Sequence, residues 1–381
     1  MIPRLLIIAD DLTGANDTGV QFARQGISTI VSIHHEIPLT TFAEDCQVLV
    51  VNTESRHIAP DEAYARVYKV AQQGVALGIP HFYKKIDSTL RGNIGSELAA
   101  LLAATNEQAL FFAPAYPKLH RTTERGAQLV AGVPLGQTSF AADLLNPVNE
   151  AFLPSMMARQ TNVQVRLFEA ETFENFAPTI YVMDAASDDD LRSHARWLQE
   201  KKLIKLLAGS AGWAEFLPEV LPFKSSPSFI PSLTAPMLIV NGSLHENSLR
   251  QIACAAQHGM PVIDFVMGDC VREVCEKINA TGHAILTTNI KPSCAQAAEN
   301  LAQKVSQILA HSQIKTLVVF GGDTLMAIAK ELDWKAFRPR AEIFQGVPIV
   351  EICEQENLLL VTKAGGFGEE DLLITLKSLI D

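Results

Sequence analysis

Strand-length apolar runs alternate with helical stretches through both halves of this chain, and that alternation limits the fold more than any other feature. In the first half, strands are expected near Arg4–Ala9, Ser28–Ile33, Gln47–Asn52, His81–Ile86, Ala109–Ala113 and Thr179–Met183. Between them, Pro60–Gln73 puts Ala63, Val67, Val70 and Ala71 on one helical face, with Pro60 suited to a first turn. Asn93 is the expected N-cap of a helix over Ile94–Ala104, and Ser187 that of an acidic-started helix reaching about Lys201. Apolar strands joined through helices imply parallel sheet covered on both faces.

Leu221–Pro236 interrupts the rhythm with four prolines and four serines in sixteen residues, the composition of a linker. The alternation then restarts with strand Met237–Asn241, helix Glu246–His258, strand Val262–Val266 and helix Cys270–Asn279. Strand Ala284–Thr288, helix Cys294–Ala310, strand Thr316–Phe320, helix Thr324–Leu332 and a strand–turn–helix from Leu358 complete it. The expected fold class is α/β: two domains, 1–222 and 237–381, each of mainly parallel sheet flanked by helices, joined by a linker at 223–236. Domains arranged in this way place an active site in the interdomain cleft by default.

Charge narrows the partners. Thirty-one basic residues against forty-two acidic ones leave −11, which disfavours nucleic acid, whose binding rests on phosphate neutralisation. An anionic ligand is then expected only where cations concentrate locally. Cys46, Cys254, Cys270, Cys275, Cys294 and Cys353 contain no Cys-x-x-Cys pair, so neither a disulfide framework nor a zinc pattern is expected. Apolar runs such as Leu5–Ala9 are far shorter than a membrane span, and the N-terminal residues lack a signal-peptide apolar region. A cytoplasmic location with reduced thiols is the expectation.

Three segments of the first half stand out. Asp10-Asp11-Leu12-Thr13-Gly14 lies where the first strand ends and a helix begins, the place where ligands collect in open α/β sheets. One Asp is explained as a helix N-cap; two side by side can bind sugar hydroxyls, hold a metal or act as a base. Lys84-Lys85-Ile86-Asp87-Ser88-Thr89-Leu90-Arg91 runs from a strand end through a polar turn toward a helix. Its cations suit the carboxylate of a polyhydroxy acid, and Asp87 its hydroxyls; Arg56, at another strand end, can join them. Pro114-Ala115-Tyr116-Pro117, followed by Arg121 and Arg125, taken alone reads as a structural loop after a buried strand.

The second half holds glycine turns at three strand ends: Asn241-Gly242-Ser243, Phe320-Gly321-Gly322-Asp323-Thr324 and Lys363-Ala364-Gly365-Gly366-Phe367-Gly368. Such turns let backbone N–H groups approach phosphate. None fits the dinucleotide or P-loop fingerprint, so the expected ligand is a nucleotide held in another way. The histidines and Trp197, Trp213 and Trp334 are assigned no catalytic role.

Taken in order, Ala9–Ala15, Lys84–Asn93, Pro114–Pro117, Gly321–Thr324 and Lys363–Gly368 resemble the motifs of the four-carbon acid sugar kinases over essentially the whole chain. The resemblance implies a sugar-acid-binding N-terminal domain, a nucleotide-binding C-terminal domain and ATP-dependent phosphorylation of a tetronate 4-hydroxyl. It implies that substrate meets Asp10, Asp11, Arg56, Lys84, Lys85, Ile86, Asp87 and Arg91. It implies that ATP meets Ser243, Gly321, Gly322, Asp323, Thr324, Gly365 and Gly366. Mg²⁺ is expected with the nucleotide, with no ligand assigned to it. Asp11, Asp87 and Asp323 are the catalytic candidates, their roles open.

Two positions depart from the family pattern: His120 replaces a usual Gly, and Phe320 a usual Ser or Thr. The Lys85–Asn93 run and Thr13–Thr18 look more like D-threonate and D-erythronate kinases than 3-oxo-tetronate kinases, which tend to carry Cys-Asp-Ser-Thr. D-threonate is the expected substrate, with D-erythronate and 3-oxo-tetronate as alternatives. The expected partners are therefore a sugar acid and ATP, without nucleic acid or membrane; a homodimer is left open. A non-catalytic sugar-acid sensor is the reading from another class, and it has no use for three glycine turns.

Overall fold

In the computed structural model, the described residues are 2–142, 146–171, 173–174, 177–227, 229–265, 270–288 and 294–380. The chain divides into two compact units, Met1–Ser226 and Pro227–Asp381. Each is an α/β layer structure with a mainly parallel sheet flanked by helices.

The N-terminal unit runs β1 (Leu5–Ala9), α1 (Leu12–Ala23), β2 (Thr29–Ser32), β3 (Val48–Asn52), α2 (Pro60–Ala76), β4 (His81–Lys85), α3 (Ile94–Thr105) and β5 (Ala109–Ala113). It continues through β6 (Arg121–Glu124), β7 (Ala127–Val130), β8 (Val133–Pro134), α4 (Leu153–Ala158), β9 (Gln164–Leu167), β10 (Thr179–Val182), α5 (Asp188–Glu200), β11 (Leu206–Gly209) and α6 (Ala211–Ala214). Its large sheet has the order β2-β3-β1-β4-β11-β5-β10-β9, parallel throughout. β1, β3 and β5 are buried along their whole length, which is why they read as unbroken apolar runs rather than alternating ones. Pro60 opens α2, and Ala63, Val67, Val70 and Ala71 form its buried face, as the spacing predicts.

Ser187 caps α5 in a reciprocal arrangement with Asp190. Asn93 does not cap α3 through its side chain. Its amide instead donates to the carbonyls of Ser55 (2.8 Å) and Ile58 (2.9 Å), tying the loop after β3 to the start of α3. β6, β7 and β8 form a small antiparallel sheet that the apolar pattern did not announce.

The C-terminal unit runs β12 (Met237–Asn241), α7 (Glu246–Gln257), β13 (Val262–Asp264), α8 (Cys270–Thr281), β14 (His283–Thr287), α9 (Cys294–His311), β15 (Thr316–Phe320) and α10 (Gly322–Glu331). β16 (Ala336–Phe344), β17 (Val347–Ile352), β18 (Gln355–Lys363) and α11 (Leu372–Ser378) follow. Strands β13-β14-β12-β15-β18 are parallel, and β17 and β16 add to β18 in antiparallel fashion. The expected strand Val262–Val266 ends at Asp264 among the described residues; Val266 lies outside them, as does the side chain of Cys294. Its core gathers Met237, Ile239, Ile285, Val318 and Val361 from the sheet with Leu372, Leu373 and Leu376 from α11. No helix among the described residues is long and apolar enough to cross a membrane.

Candidate functional site

Register decides which loops meet. Ala9 of β1 is level with Asn52 of β3 and Lys85 of β4, so Asp10-Asp11, Thr53–Arg56 and Ile86–Asp87 leave the sheet together at its carboxyl edge. There Arg56 clamps both acidic neighbours. Its Nε and Nη2 donate to Asp10 Oδ2 (2.7 Å) and Oδ1 (3.0 Å), and its Nη1 donates to Asp11 Oδ2 (2.7 Å). Asp11 also caps α1, accepting from Gly14 N at 2.9 Å and from the Thr13 hydroxyl at 2.7 Å. Burial pushes the Asp11 carboxyl up, but Arg56 and Lys85 with those two hydrogen bonds bring it below the usual carboxylate range. Burial likewise opposes the Arg56 charge, and Asp10, Asp11 and Asp87 outweigh it, raising that guanidinium well above its ordinary pKa.

Asp87 belongs to the same cluster. Its Oδ2 accepts from Arg91 Nε (2.5 Å) and Thr89 Oγ1 (2.6 Å). Burial would raise it; Arg91, Arg56 and these hydrogen bonds hold it well below the carboxylate range. Arg121, from β6, donates to the Ser88 hydroxyl, and burial lowers its pKa although Asp87 opposes this. The small sheet supports the same turn: Gln128 of β7 donates to the Ser88 carbonyl at 3.0 Å and accepts from Thr123 Oγ1 at 2.7 Å. Four cations (Arg56, Lys85, Arg91, Arg121) thus gather with the carboxylates of Asp10, Asp11, Asp87 and, acting on Arg121, Asp17, a local concentration of cations on an acidic chain.

Three sequence-derived candidates are placed differently. Lys84 and Lys85 are neighbours on a strand, so their side chains leave opposite faces. The ammonium of Lys84 is fully buried, 3.1 Å from Glu97 Oε2 and donating to the Lys85 carbonyl at 2.8 Å. Glu97 also accepts from the Ser55 hydroxyl, and burial raises its pKa despite Lys84. Lys84 therefore braces the floor of the cluster. Ile86 contributes an apolar side chain to the core, and its N–H donates to Gly209 O at 2.9 Å. Arg56, expected as a cation for substrate, has its fork committed to Asp10 and Asp11. Arg121, passed over as part of a structural loop, is brought in. The loop reaches it through His120, which takes the left-handed conformation (φ 55°) at the position where the family pattern has Gly.

The C-terminal unit repeats the logic. Asn241 is level with Phe320 and Thr287, and Phe320 with Lys363, so the three glycine turns leave the sheet side by side. Asn241 fixes the first turn, donating to Thr287 Oγ1 (3.1 Å) and accepting from Ser243 N (3.3 Å). Ser243 Oγ accepts from His245 N at 3.2 Å, and the His245 ring caps α7 by accepting from Asn247 N at 3.1 Å. Gly321 has φ 104°, open essentially to glycine, and precedes α10 without a side-chain cap. The first N–H groups of that helix are therefore presented toward the turn, as an anion site requires. Asp323 is exposed in the same turn, and Thr324 is buried against Gly242. Among the described residues no group of three His, Cys, Asp or Glu side chains converges to cage a metal.

Comparison with known proteins matches this division. Residues 5–217 fit the family model described as a sugar-binding N-terminal domain, and 238–373 that described as a nucleotide-binding C-terminal domain. A D-threonate kinase of Salmonella typhimurium is 32% identical over 97% of this chain and 96% of its own. A 3-oxo-tetronate kinase of Burkholderia multivorans is 28% identical over 97% of this chain and 95% of its own. Among solved structures, a Haemophilus influenzae protein superimposes with TM-score 0.73 at 21% identity, covering 98% of this chain and 99% of that one. A Bordetella bronchiseptica protein, a domain-swapped dimer with bound citrate, gives 0.52 at 28% identity over 99% and 98%. The two family models and a relative at 32% identity over nearly the whole chain agree, so the chain belongs to the four-carbon acid sugar kinases and is an ATP-dependent sugar-acid kinase.

Proposed function

We propose that the chain transfers the γ-phosphoryl group of ATP to the 4-hydroxyl of D-threonate. The observation that carries this is the pair of cations Arg91 and Arg121 around Asp87, beside Lys85 at Asp11 and the Asp10–Arg56–Asp11 clamp. Cations held in place this way neutralise a substrate carboxylate, and Asp87 receives hydroxyls. Arg91 and Thr89 both donate to its Oδ2, and among the described residues Oδ1 takes no hydrogen bond. With the carboxylate anchored there, the terminal hydroxyl is the end of a four-carbon chain left to react. The named relatives support the acid class, and the D-threonate kinase at 32% identity favours the stereoisomer.

Phosphoryl transfer asks for positioning and charge neutralisation more than for a strong base. That suits Asp11 and Asp87, both held below the usual carboxylate range and therefore poor proton acceptors at neutral pH. Their role is to orient hydroxyls. ATP occupies the turns at Ser243, Gly321–Thr324 and Gly365-Gly366. Magnesium, entering with the nucleotide, supplies further charge neutralisation, and Asp323 is the exposed carboxylate at the phosphate turn that would hold it.

The test is ADP release with D-threonate, D-erythronate, 3-oxo-tetronate and threitol. D-threonate should give the highest kcat/KM. Threitol keeps the reacting hydroxyl but lacks the carboxylate; losing two charge-assisted hydrogen bonds of about 1.5 kcal/mol each should cost it about 100-fold. Activity on D-erythronate alone corrects the stereochemistry; turnover of threitol at a comparable rate removes the anchoring argument. Failure with every four-carbon acid overturns the assignment. The Bordetella relative also supports a homodimer here, and a monomeric mass in sedimentation would remove that part.

A further inference from the structure

The loop after β18 is gripped from one side. Ser248 Oγ of α7 donates to Gly365 O at 2.9 Å. Asn247 Nδ2 donates to Phe367 O (3.1 Å) and Gly368 O (2.8 Å). Gln251 Nε2 reaches Phe367 O (3.1 Å), Gly368 O (3.0 Å) and Glu369 O (2.8 Å). Across a trans peptide, the C=O of one residue and the N–H of the next point in opposite directions. Drawing the carbonyls of Gly365, Phe367 and Gly368 toward α7 therefore turns the N–H groups of Gly366, Gly368 and Glu369 away from it. Successive N–H groups on one side of a loop form an anion-binding concavity.

Lys363 is the centre of this grip. Its buried ammonium donates to Gly365 O and Phe367 O at 3.0 Å each and to Ser248 Oγ at 3.2 Å. It also lies 4.3 Å from the centroid of the Phe320 ring, the residue before Gly321. One side chain thus touches the supports of two phosphate turns. We propose that Lys363 is a positioning residue for ATP, its ammonium form alone holding the 364–368 loop with N–H groups facing the phosphates, so that nucleotide binding is coupled to protonation of a buried lysine.

The contacts favour the charged form. An ammonium has three N–H bonds for Gly365 O, Phe367 O and Ser248 Oγ; a neutral amine has two, and keeps the third contact only if the Ser248 hydroxyl gives up Gly365 O to donate to its lone pair. The surroundings leave that charge uncompensated. His245 and Glu246 at the start of α7, Asp323 in the first turn of α10 and Glu369 beyond the loop are the titratable groups on the neighbouring elements, and none pairs with it among the described residues. β15 presents Phe320, and β17 the apolar Val347 and Ile349. Burial alone lowers Lys363 from the ordinary lysine range to about 7. Phosphate oxygens on the far side of the loop favour the ammonium again, so ATP binding draws in a proton where the free protein has lost it.

This rests on the assignment of the C-terminal unit to ATP, and the experiment separates the two. KM for MgATP would be followed from pH 6 to pH 9 in the wild type, Lys363→Arg and Lys363→Met. Wild-type KM for ATP should be flat below pH 7 and then climb toward tenfold per pH unit, with KM for D-threonate unchanged. Lys363→Arg, permanently charged, should abolish the climb, and Lys363→Met should show a raised KM for ATP at every pH. Calorimetry of MgATP binding to the wild type at pH 8, in two buffers of different ionisation heat, supplies a second readout that does not depend on the larger guanidinium fitting the site. Uptake of close to one proton per nucleotide is expected. ATP binding without proton uptake, or a Lys363→Met profile identical to wild type, overturns the proposal. Absence of ATP binding at every pH overturns the nucleotide assignment together with it.

Discussion

Replacing Arg56 by alanine is expected to abolish turnover and to cost about 3–5 kcal/mol of stability, the penalty for removing one partner of a buried charge cluster. The guanidinium makes three short hydrogen bonds to two adjacent carboxylates, and Asp10 is only 2% exposed. Without it Asp10 and Asp11 face each other with Lys85 as the nearest compensation, and one of them must take up a proton. A protonated Asp11 would also lose strength as the cap of α1. Arg56→Lys keeps the charge without the planar fork and should restore part of the stability and little of the activity. Urea unfolding and kcat/KM for the tetronate measure both effects. A loss below about 1 kcal/mol in Arg56→Ala would show that water replaces the clamp without difficulty.

The second large effect is expected at Gly242→Ala. A Cβ built there falls inside contact distance of Thr324 Oγ1 and lies 3.1 Å from Thr324 Cβ and 3.3 Å from its Cγ2. Thr324 is β-branched, so rotating it away from the new methyl only brings Cγ2 toward the same place. The first turn must therefore separate from the start of α10. KM for ATP should rise tenfold or more while the tetronate site, in the other unit, keeps its KM. Direct titration with ATP checks this, and wild-type affinity in Gly242→Ala would move the nucleotide away from these turns.

How much of this was legible depends on whether a signal was local. The parallel strands β1, β3, β5, β12 and β15 announced themselves because both faces are buried, which makes each an apolar run. β16 and β17 did not. β16 alternates buried and half-exposed residues, with Arg338, Arg340 and Glu342 between its apolar positions and Pro339 among them, and β17, buried except at Glu351, has its apolar run broken at Pro348. β11, four residues long, gave too short a run to separate from its surroundings. In the site, the acidic pair and the Lys85–Arg91 turn were visible because their residues are contiguous. The commitment of Arg56 to residues 46 and 45 positions away, and the arrival of Arg121 from 33 positions beyond Ser88, are products of topology. The separation of Lys84 from Lys85 was within reach, since strand periodicity alone puts neighbours on opposite faces. Lys363 was quoted with its glycines, but its weight comes from burial among neutral acceptors, which no motif shows.

The position of β11 bears on how the chain acquires its structure. This strand, Leu206–Gly209, is the last of its sheet in sequence, yet it lies between β4 and β5 and pairs with both. A ribosome that has released only the first two hundred residues has therefore delivered the strands on either side of a gap, with the piece that fills it still in the exit tunnel. The unpaired edges of β4 and β5 stay open to other chains during that interval, and closure waits on contacts more than ninety residues apart along the chain. Slow completion and a period of dependence on chaperones follow from that strand order.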